Sequence, residues 1–195
     1  MIYLEEIEKK ALEDNVPIMQ KEGLEFLINT INEHQGKHVL EIGSAVGYSA
    51  AMIALNTKAK VETIEIDQQR YDEACANISA LDLKDRVVIH HHDALDFPLE
   101  ELEMGDFDCL FIDAAKAQYQ KFFEKYMAVV APGGICVVDN LDFHGMVFAI
   151  DEIKNRNTRQ LVKKIKRFKD WILNHEQYDV EYHHIGDGIC VIRRK

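Results

Sequence analysis

The chain has 195 residues, 47% of them hydrophobic and 29% charged, with a formal net charge of -11. That length can bury one sizeable core and leaves no room for a second conventional domain, so a single domain over 1–195 is expected. No run approaches the ~18 apolar residues that span a bilayer, the opening MIYLEEIEKKALEDN is acidic and helix-like rather than a secretion signal, and the acidity argues against general affinity for DNA; a soluble, cytoplasmic protein with no membrane partner is expected.

In chain order, helical spacing over 23–34 is followed by a strand-like run at 37–43, a helix at 48–56, a strand at 60–67 and a helix at 69–81. Strands are then predicted over 86–94 and 107–113, a helix over 118–130, and a strand over 134–140. Strands alternating with helices imply parallel pairing through right-handed crossovers, hence an α/β doubly wound sheet. Beyond it, TRQLVKKIKRFKDWILNH reads as a helix with Leu161, Ile165, Phe168 and Ile172 on its apolar face. The last segment, YDVEYHHIGDGICVIRR, has two alternating runs around GDG, a hairpin signal that predicts an antiparallel pair closing the sheet. Cys75, Cys109, Cys136 and Cys190 are widely spaced with no CxxC pair, which suits core thiols better than zinc ligands or disulfides.

Three features point to chemistry. VLEIGSAVGYSA is a strand, a glycine turn and a helix start, where Gly43 and Gly47 admit a ligand close to backbone amides. It lacks the GxGxxG of dinucleotide dehydrogenases. At the end of the next strand stand Glu65 and Asp67, either of which can grip ribose hydroxyls; a glycine turn serving packing alone is the bland alternative. Second, FDCLFIDAAK ends its apolar run in Asp113, and GGICVVDN ends in Asp139 and Asn140, so that two strands deliver oxygen-bearing side chains to one edge. Third, residues 154–169 carry eight Lys/Arg and no Asp or Glu, a basic stripe on an acidic protein. The triple His90-His91-His92 invites a metal reading, but alternation along a strand sends its members to opposite faces. His144 either borders a substrate or is an ordinary loop residue.

The ordered motifs VLEIGSAVGYSA, ETIEID, DCLFIDAAKAQY and PGGICVVDNLDFHG resemble the metal-dependent catechol and caffeoyl-CoA O-methyltransferase family over nearly the whole chain. The resemblance implies a class I S-adenosylmethionine-dependent methyltransferase fold, Rossmann-like, with a seven-stranded sheet whose last strand is antiparallel. It implies S-adenosylmethionine as cofactor, with Glu65 on the ribose, Gly43 and Ser49 at the methionine end, Asp93 and Ala94 by the adenine, Met19 in an N-terminal cover and Asp113 bordering the cofactor. Asp113, Asp139 and Asn140 match the family's metal ligands, an oxygen-only set that suits Mg²⁺ before Ca²⁺ or Mn²⁺. Lys116 matches the family's catalytic lysine and acts with Asp113. The chain departs from the family pattern at His92, where glycine is frequent, and at Ala114 and Ala115, which replace bulkier residues.

Within the family the sequence looks like the bacterial branch that methylates 5-hydroxyuridine at the wobble position of transfer RNA. The basic stripe then supplies phosphate contacts through Arg156, Arg159, Lys163, Lys166 and Arg167, and the anticodon loop is the expected partner. A small catechol-like or phenylpropanoid phenol is the alternative acceptor, with the stripe merely solvated. A non-catalytic adenosyl-ligand binding module is the third reading. The resemblance also implies a homodimer.

Overall fold

The computed structural model describes residues 2–195. Seven strands form a single sheet in the order β3-β2-β1-β4-β5-β7-β6. The five that pair in parallel are β1 (His38–Ile42), β2 (Lys60–Glu65), β3 (Val87–His91), β4 (Phe107–Ile112) and β5 (Val130–Val138). At the far edge β7 (Ile189–Arg194) runs antiparallel to β5 and to β6 (Tyr178–His183). The chain therefore has the class I methyltransferase topology, with the antiparallel closing pair that the GDG segment foretold.

Period-two alternation divides the central strands between two cores. Val39, Cys109, Phe111, Ile135 and Val137 point to the side covered by α1 (Ile2–Glu13), α2 (Lys21–Glu33), α3 (Tyr48–Asn56) and α4 (Gln68–Ala80). Leu40, Ile42, Leu110, Ile112, Cys136 and Val138 point to the side covered by α5 (Tyr119–Tyr126) and α6 (Arg156–Leu173). Both faces of the sheet are thus covered, which is why its strands read as nearly continuous apolar runs. Cys109, Cys136 and Cys190 lie buried in these layers and Cys75 is half-buried, all four as free thiols. No helix among the described residues is long and apolar enough to cross a membrane.

The helix α6 corrects the expected phase and composition of its faces. Val162 is fully buried while Leu161 is only partly so, and Lys169, counted in the basic stripe, is buried at 7% exposure with its ammonium 2.7 Å from Asp142 Oδ1. Arg159 is also drawn partly inward, donating from Nε to the Ile153 carbonyl at 2.9 Å. The remaining stripe residues Lys154, Arg156, Lys163, Lys164, Lys166 and Arg167 are exposed, with Lys166 held by Asp170 at 2.8 Å.

Candidate active site

The site gathers at the carboxyl ends of β1 to β5, the edge where open α/β sheets bind ligands. After β1 the chain turns at Gly43 (φ +95°) and Gly47 (φ +78°) before entering α3. A Cβ on Gly43 would lie 2.6 Å from the Asp113 carbonyl oxygen, so the glycine is demanded by both its dihedral and its neighbour. The loop is held from α4 by Asn77, whose side-chain amide donates to the Val46 carbonyl at 2.9 Å.

Beneath this loop lies a cavity of about 450 Å³, within the usual size range for small-molecule sites. Met19 and Phe122 line it, and Gly43, Ser49, Glu65, Asp93, Ala94 and Asp113 all contribute to its wall. The structure thus brings together every residue expected around an adenosyl cofactor. The two acids after β2 are placed differently, with Glu65 in the cavity wall and Asp67 outside it. Glu65 is buried and clasps the turn, accepting from Ala45 N at 2.8 Å and Asp67 N at 2.9 Å, while Asp67 is exposed and caps α4 by accepting from Arg70 N at 2.9 Å.

Other expected residues have defined local roles. Asp93 Oδ1 accepts from Leu95 N at 2.8 Å, and the Ala94 carbonyl accepts from Tyr126 Oη at 2.6 Å and Lys125 Nζ at 3.0 Å, fixing the turn after β3 at the cavity wall. Ser49 Oγ donates to Glu41 Oε1 at 2.5 Å. Glu41 escaped sequence reasoning because it stands inside an apolar strand run. It is fully buried, its second oxygen has no partner, and desolvation pushes its carboxyl up to about 7 against the Ser49 hydrogen bond. The three histidines diverge: His90 Nε2 lies 2.7 Å from Glu62, His91 Nε2 3.1 Å from the Ile66 carbonyl, and His92 Nδ1 2.9 Å from the Asp93 carbonyl at the cavity rim.

Beside the cavity, whose wall includes Asp113, the ends of β4 and β5 bring Asp113, Asp139 and Asn140 into contact. The Asn140 Nδ2 atom donates to Asp113 Oδ1 at 2.8 Å and to Asp139 Oδ2 at 3.0 Å. Asn140 adopts φ 64°, a left-handed conformation that asparagine tolerates and that turns its amide back over the two acids. Lys116, on the 3-10 turn Lys116–Gln118, places Nζ 3.6 Å from Asp113 Oδ1. Tyr119 Oη donates to the Asp139 carbonyl at 3.0 Å from below, holding the end of β5.

This cluster carries more negative charge than its own cations balance. Asp139 is 3% exposed, and burial, then the Asp113 charge, push its carboxyl up to about 8. Burial likewise raises Asp113, with Lys116 opposing. Asp187, buried in the hairpin loop, adds a further negative charge near both. Asp139 Oδ1 is buried with no hydrogen-bond partner. Among the described residues no three His, Cys, Asp or Glu side chains are gathered as a metal cluster. The set here is two carboxylates and an amide, and a half-turn of the Asn140 amide exchanges its donor for an oxygen. An orphaned carboxylate oxygen beside two further oxygen donors fits a hard divalent cation that keeps several waters.

A sheet of this order, a glycine loop closed by Glu65 over a nucleoside-sized cavity, and a reactive corner of oxygens beside a lysine define a class I methyltransferase. The chain belongs to the O-methyltransferase family, which it matches over residues 1–195, and it is an S-adenosylmethionine-dependent enzyme of that family. It is 26% identical over 186 residues to a caffeoyl-CoA O-methyltransferase from Populus kitakamiensis, covering 92% of this chain and 78% of that one. A crystal structure from Staphylococcus aureus, provisionally described as a caffeoyl-CoA O-methyltransferase, superposes with a TM-score of 0.93 at 32% identity, covering 98% of this chain and 92% of that one. An O-methyltransferase from Bacillus cereus in complex with SAH superposes with a TM-score of 0.84 at 26% identity, covering 100% of this chain and 91% of that one.

Proposed function

We propose that this O-methyltransferase is Mg²⁺-dependent and methylates the 5-hydroxyl of 5-hydroxyuridine at the wobble position of transfer RNA, giving 5-methoxyuridine. The observation that carries the chemistry is the corner of Asp113, Asp139 and Asn140 with its partnerless buried oxygen, set against Lys116 at the end of the cofactor cavity. Those three side chains would hold Mg²⁺, which supplies chelation of two vicinal acceptor oxygens and acidifies the hydroxyl. The 5-hydroxyl and neighbouring 4-oxo group of the modified base offer such a pair. Lys116 stands where it can receive or steer the hydroxyl proton. The glycine loop and Glu65 fix the ribose and methionine ends of S-adenosylmethionine, whose sulfonium methyl is the group donated, and much of the acceleration comes from that alignment.

The acceptor reading is supported by the exposed cations Arg156, Lys163, Lys166 and Arg167 on α6, a local basic surface on a protein of net charge -11. A wobble base in an anticodon loop can be splayed into a pocket. A cytoplasmic homodimer belongs to the same reading. A small catechol-like phenol is the second reading, favoured by the names of the relatives this chain resembles.

The test is methyl transfer from labelled S-adenosylmethionine, with Mg²⁺, into bulk transfer RNA from a strain lacking the protein, beside a simple catechol. Label in the RNA that disappears with a chelator supports the wobble-uridine reading. Label confined to the catechol overturns the RNA acceptor and leaves the second reading in place.

A further inference from the structure

A second depression, of about 430 Å³, lies between the 3-10 turn at Lys116, the start of α5 and the middle of α6. Its floor includes the buried rings of Tyr119 and Phe168. Four cations line it: Lys116, Lys121, Lys164 and Arg167. The only acid in its wall is Glu124, which accepts from Gln120 Nε2 at 2.8 Å. Lys116 and Gln118 line both this depression and the cofactor cavity, so the two spaces meet at the reactive corner.

The cations here differ from their neighbours on the same helix. Lys166 is paired with Asp170, Lys169 with Asp142, and Arg159 with a backbone carbonyl. Among the described residues, Lys121, Lys164 and Arg167 form no ion pair with any carboxylate. Three unpaired cations in a concave wall whose one acid is engaged make a site of positive potential, and low-dielectric walls concentrate that potential. Lys164 and Arg167 are three residues apart on α6, hence neighbours on its surface, while Lys121 faces them from α5.

We propose that this groove is an anion subsite that takes a phosphate ester carried by the acceptor and so delivers the acceptor's hydroxyl to Asp113 and Lys116. Lys121, Lys164 and Arg167 are its ligands. Where the acceptor is RNA, the phosphate is a backbone phosphodiester near the methylated base, and that form rests on the function proposed above. Where the acceptor is small, the phosphate is its own.

The experiment compares the full-length enzyme with Lys121→Glu/Lys164→Glu and with the milder Lys121→Gln/Lys164→Gln, each checked for an unchanged melting temperature. Three acceptors are used: a stem-loop RNA containing 5-hydroxyuridine, a catechol bearing a phosphate on a short alkyl arm, and plain catechol. For the charge-reversed pair, KM for the RNA should rise by about tenfold or more with kcat little changed, and the salt slope of RNA affinity should become shallower by about one per lost contact. The wild-type preference for phosphorylated over plain catechol should vanish, and turnover of plain catechol should be unaltered. An inactive RNA with a phosphocatechol preference that the variants abolish keeps the subsite and removes the RNA acceptor. Unchanged RNA KM and salt slope together with an unchanged phosphocatechol preference overturn the subsite. So does an equal loss on all three acceptors, because the substitutions would then be acting through Lys116.

Discussion

The loop after β5 carries two buried acids, Asp139 and Asp142, that are compensated in opposite ways. Asp142 has its own cation: Oδ1 accepts from Lys169 Nζ at 2.7 Å and from the Tyr182 hydroxyl, and the same ammonium sits 3.7 Å from the Tyr182 ring centroid. Its surroundings are closed, since a Cβ on Gly188 would lie 2.7 Å from Asp142 Cγ. Asp139 has another carboxylate's charge nearby, an amide shared with Asp113, and one oxygen with no partner. A buried acid with a fixed cation is architecture, because the charge is settled before any ligand arrives. Buried acids that press on one another leave a place for a mobile cation. Glu41 is a third case, an acid left without a cation whose simplest resolution is to stay protonated near neutrality.

The sharpest way to break this comparison is Asp139→Asn. It should lower methyl transfer by roughly a thousandfold or more, the scale of a lost metal-centred stabilisation, while the melting temperature of metal-free protein does not fall. Wild-type rates in that variant would end the cation reading. Lys169→Met should do the converse, costing about 3–5 kcal/mol in denaturant unfolding because Asp142 is left charged and buried, with specific activity of the folded protein retained. An unmoved unfolding midpoint would show that Asp142 does not depend on Lys169. Lys116→Met should reduce kcat by about a hundredfold, in the range of a lost proton-handling group; a change confined to acceptor KM would make it only a binding residue.

The smallest effect concerns Glu41. Its carboxyl is raised from 4.5 to about 7, so between those values the folded protein holds a proton that the unfolded chain has released. Stability should therefore decline as pH rises through that window, by up to about 3 kcal/mol, and Glu41→Gln should flatten the decline. Parallel pH profiles for the two proteins would show that Glu41 titrates normally.

Much of the fold was legible because burial on both faces of a parallel sheet writes itself as apolar runs, and the run at 48–56 coincides with α3. The site was legible where motif residues are contributed by strand ends, as with Asp113 and Asp139. What stayed hidden depends on partners distant in sequence. Lys169 reads as one more basic residue until Asp142, 27 residues away, is brought beneath it. The phase of α6 shifted from Leu161 to Val162 because packing against α5 and the sheet, not periodicity alone, sets which side is buried. The basic groove was invisible for the same reason: Lys121 and Lys164 belong to different helices, and only their packing makes a concave surface.

The contact between Gly43 and the Asp113 carbonyl has a further consequence. β1, β4 and β5 are successive neighbours in the sheet, and they end respectively in the cofactor turn, in Asp113, and in Asp139. Neighbouring strands lie about 4.8 Å apart, so backbone hydrogen bonding acts as a ruler between the glycine turn and the carboxylate corner. Side chains at the corner can be exchanged one at a time without altering that ruler. An insertion within β1 or β4 would instead shift the register that brings these strand ends level.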